Sequence, residues 1–333
     1  MPSLQAIRER FPALGCGMAL LENAGGSQVP REVAQAIGAY MVDSYVQLGA
    51  GYPMSDRATR TVAAAHELVE TVLGAGGAGR AILGASTTQL LTMLSSCLAQ
   101  RVQPGDEVVI AESGHEASIG PFLRLARQGA VVRWWKVDRD AQDCPLAGLD
   151  AVLSPRTRLV VTPHVSNLLG AIVPVDEVVR RAHAVGARVL VDGVALAPHR
   201  IMDVERWGVD WYAYSAYKVY GPHMGVLFGR HEALAELDPP NHFFIPRDQV
   251  PYAFELGGSS HEGCAALVAL ANYLAFLAGE ELDACASLDR PAAGLTRDAV
   301  QRAFARITEL ELPLQRAMVE GVRRHPRLRL VGP

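Results

Sequence analysis

Lys218 and Asp192 are the two residues whose surroundings point to covalent chemistry. Lys218 lies in Trp211-Tyr-Ala-Tyr-Ser-Ala-Tyr-Lys-Val-Tyr-Gly-Pro-His-Met-Gly225, an aromatic and small-residue run closed by a glycine–proline turn. An ammonium among apolar neighbours loses its proton more readily, because desolvation disfavours the charged form. A neutral lysine amine attacks carbonyl carbon and forms a Schiff base. An arbitrary lysine, by contrast, is a solvated surface charge. Upstream, Asp192 ends the apolar run Arg188-Val-Leu-Val-Asp. A carboxylate there must be exposed, paired or hydrogen-bonded. Paired with a pyridinium N–H it turns the ring into an electron sink, and with a Schiff-base lysine it forms the arrangement that pyridoxal 5'-phosphate (PLP) needs. The plainer alternative is a turn aspartate ahead of Gly193.

Three further places carry polar groups of the matching kind. Gly84-Ala-Ser-Thr-Thr88 follows the strand-like Arg80-Ala-Ile-Leu and opens a helix. Backbone N–H groups at a helix start, with hydroxyls beside them, suit a phosphate; simple N-capping by Ser86 or Thr87 explains the same residues. His115 stands just past the run 108–111, where a flat imidazole can stack on a ring or be an exposed loop residue. Asn167 follows the next strand, and its amide can hydrogen-bond a phenolate oxygen or form a turn before Gly170.

The elements that must position these groups alternate. Apolar, β-branched runs at 108–111, 131–135, 159–162, 189–192, 211–214 and 225–228 are separated by helical stretches such as 118–127 and 175–184. Continuous apolar strands with helices between them describe an α/β fold with a mostly parallel sheet covered on both faces. Ligands of such sheets sit beyond the strand ends and at helix N-termini, where the motifs fall. Helices are expected at 29–45, 57–73, 86–100, 261–279 and 295–324, with 47–56 as a connector. The stretch 231–260 loses the rhythm and holds Pro239, Pro240, Pro246 and Pro251. The alternation of basic and apolar residues over 327–333 reads as a strand.

The 333 residues are half hydrophobic and one fifth charged, with a net charge of −4, so the chain can bury a sizeable core. No basic block points to nucleic acid. No apolar run is long enough to span a membrane, and the N-terminus lacks a signal-peptide core. These features read as a cytoplasmic protein. The five cysteines (Cys16, Cys97, Cys144, Cys264 and Cys285) are far apart, which suggests neither a disulfide framework nor a metal site.

Taken in order, the phosphate loop, His115, Asn167, Asp192 and Ser215-x-x-Lys218 resemble the class V aminotransferase and cysteine desulfurase superfamily of fold-type I PLP enzymes. The likeness is strongest to the cysteine desulfurase-like branch. It rests on Leu21-Glu-Asn-Ala-Gly-Gly-Ser-Gln-Val-Pro30, His164-Val-Ser-Asn-Leu-Leu-Gly170, Leu190-Val-Asp-Gly193 and Tyr214-Ser-Ala-Tyr-Lys-Val-Tyr-Gly-Pro-His-Met-Gly225, with Phe254-Glu-Leu-Gly-Gly258 as a weaker match. The resemblance implies a large PLP-binding domain at 17–285. Residues 1–16 and 286–333 would form a small domain, incomplete at its C-terminus. Lys218 would be the internal aldimine and proton-transfer base, Asp192 the partner of the pyridine nitrogen, His115 the stacking group and Asn167 the neighbour of the 3'-oxygen. Ser86, Thr87, Thr88 and Ser215 would contact the phosphate, and the Tyr217 phenol can donate to it as well. Gly25, Gly26 and Tyr52 would meet an amino-acid substrate. Gly257, Gly258 and Ser259 would reach a neighbouring subunit's phosphate, implying a homodimer with shared sites.

Several positions depart from the family pattern. Ala195 stands where relatives carry Gln or His, and Tyr217 where many desulfurases carry His. Gly258 stands where a phosphate-binding hydroxyl is usual, and Ala253 where Arg is common. The family's substrate-gripping arginine and persulfide-forming cysteine both fall past Pro333. Two classes of function therefore compete. One is a PLP enzyme acting on an amino acid through a quinonoid intermediate, by desulfuration, C–S β-elimination, epimerisation or transamination. The other is a non-catalytic protein on the same fold.

Overall fold

A computed structural model describes residues 1–282 and 294–332. Seven strands form one sheet: β1 (Gly79–Gly84), β2 (Glu107–Ala111), β3 (Val131–Trp135), β4 (Thr157–Pro163), β5 (Arg188–Asp192), β6 (Trp211–Ser215) and β7 (Gly225–Arg230). Their spatial order is β1-β7-β6-β5-β4-β2-β3, and β7 alone runs against the rest. Three helices precede the sheet: α1 (Leu4–Glu9), α2 (Arg31–Asp43) and α3 (Pro53–Leu73). Among the strands come α4 (Thr87–Ala99), α5 (Glu116–Leu123), α6 (Leu146–Asp150), α7 (Val175–Ala184) and α8 (Val204–Trp207). The helices α9 (His231–Ala235), α10 (His261–Leu277) and α11 (Arg297–Arg324) follow it.

Alternate residues of each strand feed two cores. Val160, Val189, Val191, Tyr212 and Phe228 pack with α3, α7, α10 and α11 on one face, and Ile110, Leu159, Leu190, Trp211 and Leu227 pack with α4 and α5 on the other. This double burial explains why the strands read as unbroken apolar runs. Full burial of each large aliphatic side chain is worth roughly 1.5–3 kcal/mol. Among the described residues no helix is long and apolar enough to cross a membrane.

The expected elements recur with four differences, one being that the stretch 231–260, read as irregular, opens with α9 (His231–Ala235). The second early helix starts at Pro53 rather than 57, because proline at a first helical position loses no hydrogen bond. The helix expected at 118–127 is α5 followed by a 3₁₀ turn over Arg124–Gln128; Pro121 inside α5 has no N–H to continue the ladder. Residues 328–332 are not a strand. Among the described residues no strand pairs with them; Leu328 and Val331 are exposed, and the Gly332 N–H donates instead to Gln142 Oε1 at 2.6 Å. Cys285 and the expected domain boundary at 285–286 lie outside the described residues.

Candidate active site

The carboxyl ends of β1, β2, β4, β5 and β6 all open onto one edge of the sheet, because these strands run the same way. A cavity of about 210 Å³ sits there. Thr87, Thr88, His115, Asn167, Asp192, Ser215, Tyr217 and Lys218 all line it, so eight of the expected residues, from widely separated segments, meet in one place.

The turn between β1 and α4 is brought hard against the start of β7. A Cβ on Gly225 would lie 2.2 Å from the Ser86 carbonyl carbon and 2.3 Å from the Thr87 nitrogen, so only glycine admits this approach. Thr87 and Ser215 are buried, with their hydroxyls 2.8 Å apart. Ser86 caps α4, its Oγ accepting from the Gln89 N–H at 3.1 Å, and it is not among the cavity-lining residues. The structure thus gives Ser86 its capping role and leaves the hydroxyls of Thr87, Thr88 and Ser215 beside the helix start.

Asp192 ends β5, 5 % exposed. The Val194 N–H donates to its Oδ1 at 3.1 Å. Burial pushes its carboxyl up, against the opposing pull of that amide, the Ser118 hydroxyl and the neighbouring His115 and Lys218. Behind it, the Tyr212 ring crosses the backbone at Gly193, where a Cβ would sit 2.1 Å from the ring. His115 caps α5, its Nδ1 accepting from the Ala117 N–H at 3.1 Å, while its exposed ring borders the cavity. The loop and ring-facing roles considered for His115 are therefore compatible.

Lys218 sits half-buried at the end of a 3₁₀ turn over Ala216–Lys218. Ser27 pins this turn. Its N–H and Oγ both donate to the Tyr217 carbonyl at 3.0 Å, and its Oγ accepts from the Tyr220 N–H at 2.9 Å. Tyr217 stacks on His223 with ring centroids 4.8 Å apart. No sequence signal pointed to Ser27 or to the apolar Ala24 and Val165. Ser27 lies 190 positions from Tyr217, and no local pattern announces that contact.

The remaining candidates lie off the cavity lining. Gly26 packs on Tyr217, where a Cβ would be 3.3 Å from the ring, and Gly25 is exposed beside it. Tyr52 is 43 % exposed at the start of α3. Gly257 and Gly258 occupy positive-φ positions on an exposed turn, and Ser259 Oγ is 3.6 Å from Cys264 Sγ.

The donor set fits PLP. Asp192 is a desolvated carboxylate suited to a cationic ring N–H. The gap left by the missing Cβ of Gly225 lets hydroxyls and helix amides converge on a phosphate. Lys218 borders the same space.

Residues 19–278 match the family model described as aminotransferase class-V. The chain is 38 % identical over 278 residues to the aminotransferase-like protein FGM3 of Gibberella zeae, covering 81 % of this chain and 68 % of that one. It is 34 % identical over 245 residues to a cysteine desulfurase of Dickeya dadantii, covering 71 % of this chain and 59 % of the relative, less than two thirds of its length. Its structure is similar to that of the cysteine desulfurase CsdA from Escherichia coli, with a TM-score of 0.72 and 26 % identity over 84 % of this chain and 77 % of that one.

Proposed function

The chain belongs to the aminotransferase class-V family, whose members use PLP, and from its site we propose a PLP-dependent enzyme that acts at Cα or Cβ of an amino acid. The observation that carries this reading is the convergence of Lys218, Asp192, Thr87 and Ser215 on one cavity at the carboxyl edge of the sheet. When bound, the cofactor supplies an electrophilic carbon and a ring that delocalises charge from Cα.

The chain's own residues supply the rest. Thr87, Thr88, Ser215 and the first N–H groups of α4 bind the phosphate, where the helix dipole favours an anion. Asp192 holds a proton on the ring nitrogen. The His115 ring would stack on the cofactor, and the Asn167 amide would hydrogen-bond its 3'-oxygen. Lys218 Nζ takes the proton from the substrate's Cα and returns it, a general-base role for a group within reach of the reacting atom. Desulfuration, C–S β-elimination, epimerisation and transamination share the removal of that proton and differ in where it goes next, and product analysis with cysteine, thioethers and alanine separates them. The non-catalytic alternative draws no support from the site or the relatives.

We also propose a cytoplasmic homodimer. Gly257, Gly258 and Ser259 lie off the lining of their own chain's cavity and on an exposed turn, as residues serving a neighbouring subunit would.

The test is the absorbance of the purified protein after addition of PLP. A visible band that Lys218→Ala abolishes is the expected result. Absence of any band in the wild-type protein overturns the assignment.

A further inference from the structure

A second cavity, of about 510 Å³, adjoins the one at Lys218, because Val165 and Ala195 line both. Its far wall is the C-terminal half of α11, contributing Leu314, Met318 and Val319; its near wall includes Ile172 and Leu196. Leu314, Met318 and Ile172 are 72 %, 58 % and 64 % exposed, so this one space is lined by apolar side chains left uncovered in this chain. A cluster of that kind marks a place where something apolar binds.

The charges in this cavity are internally matched. The Arg200 guanidinium donates to Glu311 Oε2 at 3.2 Å and to the His199 carbonyl at 2.8 Å, and His199 Nδ1 lies 2.8 Å from Glu311 Oε1. The other polar groups, Asn23 and Gln315, are neutral. The cavity therefore offers apolar contact rather than a free charge. The position that joins it to the Lys218 cavity is occupied by a methyl group, Ala195.

We infer that this cavity is the side-chain subsite for the substrate, and that the substrate is an α-amino acid with a large apolar side chain rather than a small one such as alanine or cysteine. The inference rests on the reading of the Lys218 cavity as the cofactor site. That smaller cavity is taken up by the cofactor, so a substrate side chain has to extend out of it. Past Ala195 and Val165 it meets the apolar walls.

The experiment titrates the PLP-loaded protein with L-alanine, L-leucine, L-phenylalanine and S-benzyl-L-cysteine, following the change in the cofactor's absorbance. The expected result is that phenylalanine and S-benzylcysteine bind at least about tenfold more tightly than alanine, the discrimination that one buried apolar group readily supplies. Leu314→Asp and Met318→Asp, on the exposed wall, should each shrink that ratio to a few-fold. Ala195→Gln, which lengthens the side chain at the junction, should weaken phenylalanine more than alanine. Equal binding of alanine and phenylalanine, or a preference that both aspartate variants leave intact, overturns the inference. So does conversion of a dimer to a monomer by these variants with selectivity unmoved, which would make a second copy the occupant. A protein that loads PLP through Lys218 and shows any of these outcomes keeps the proposed function and loses the subsite. One that loads no PLP loses both.

Discussion

Asp192 is held in the folded chain at an electrostatic cost. Its carboxyl is raised by burial, and a raised acid binds protons more tightly folded than unfolded. Its contribution to stability is therefore fully present below the ordinary carboxylate pKa and is lost as pH rises through the raised value, so at neutral pH it opposes folding. Asp192→Asn is expected to raise the melting temperature of the PLP-free protein at neutral pH. The same substitution should lower kcat about 10²–10³-fold in the loaded enzyme, the range for removing one group that stabilises developing charge. Thermal melts and steady-state rates on one preparation check both. A variant less stable than wild type would show that the carboxylate is not the burden inferred here. Lys218 and Asp192 were legible because residue type and apolar flanks expose them to inspection. Ser27 was not, because its role is three hydrogen bonds to Tyr217 and Tyr220, which only folding brings near.

At the scale of elements, two junctions hold the site edge together. The first is the contact between β7 and the start of α4. Gly225→Ala sets a methyl against backbone atoms that cannot rotate away. It is expected to weaken PLP binding at least tenfold, about 1.4 kcal/mol. Gly321→Ala, with nothing within 4 Å of its Cβ, should bind PLP as wild type does. Equilibrium titration of both variants decides this.

The second junction is buried. His66 of α3 contacts Glu255 Oε1 at 2.7 Å, its Nδ1 reaches the Val62 carbonyl at 2.8 Å, and the Leu83 N–H of β1 donates to the same Glu255 oxygen at 2.8 Å. Burial pulls His66 down, but the hydrogen bond and charge of Glu255, the Val62 carbonyl and the charge of Glu70 leave it raised above 6.5. Its stabilising effect is then complete below 6.5 and fades as pH rises through the raised value. His66→Gln should cost about 3–5 kcal/mol at mildly acidic pH, as for a broken buried pair, and should remove this alkaline decline. Chemical unfolding at several pH values measures both. Glu255 was visible in sequence only as part of a weak motif, and nothing in the composition of α3 linked it to His66.

At the scale of the whole molecule, Phe243 and Phe244 are 99 % and 68 % exposed on the irregular segment that leads to Gly257–Ser259. Large aromatic side chains left in water beside residues proposed to serve a partner are natural interface material. Sedimentation is expected to show a dimer for the wild-type chain. The double substitution Phe243→Asp, Phe244→Asp should give a monomer that binds PLP more weakly, since Ser259 would no longer reach the neighbouring site. A wild-type monomer with full PLP affinity would refute the shared-site reading.

The amino-acid sequence by itself determined the alternation of strands and helices, and with it the sheet edge at which the proposed site lies. That information is local: hydrophobic periodicity, a lysine among aromatics, an aspartate ending an apolar run. The tertiary structure decided what depends on distant segments. It drew Thr87, His115, Asn167, Asp192 and Lys218 to one cavity, turned Ser86 into a helix cap, and left residues 328–332 out of strand structure. It also set a second, apolar cavity beside the first, across Val165 and Ala195. A cavity is a property of surfaces that meet, and residues 165, 195 and 314 have no relation until the sheet and α11 pack.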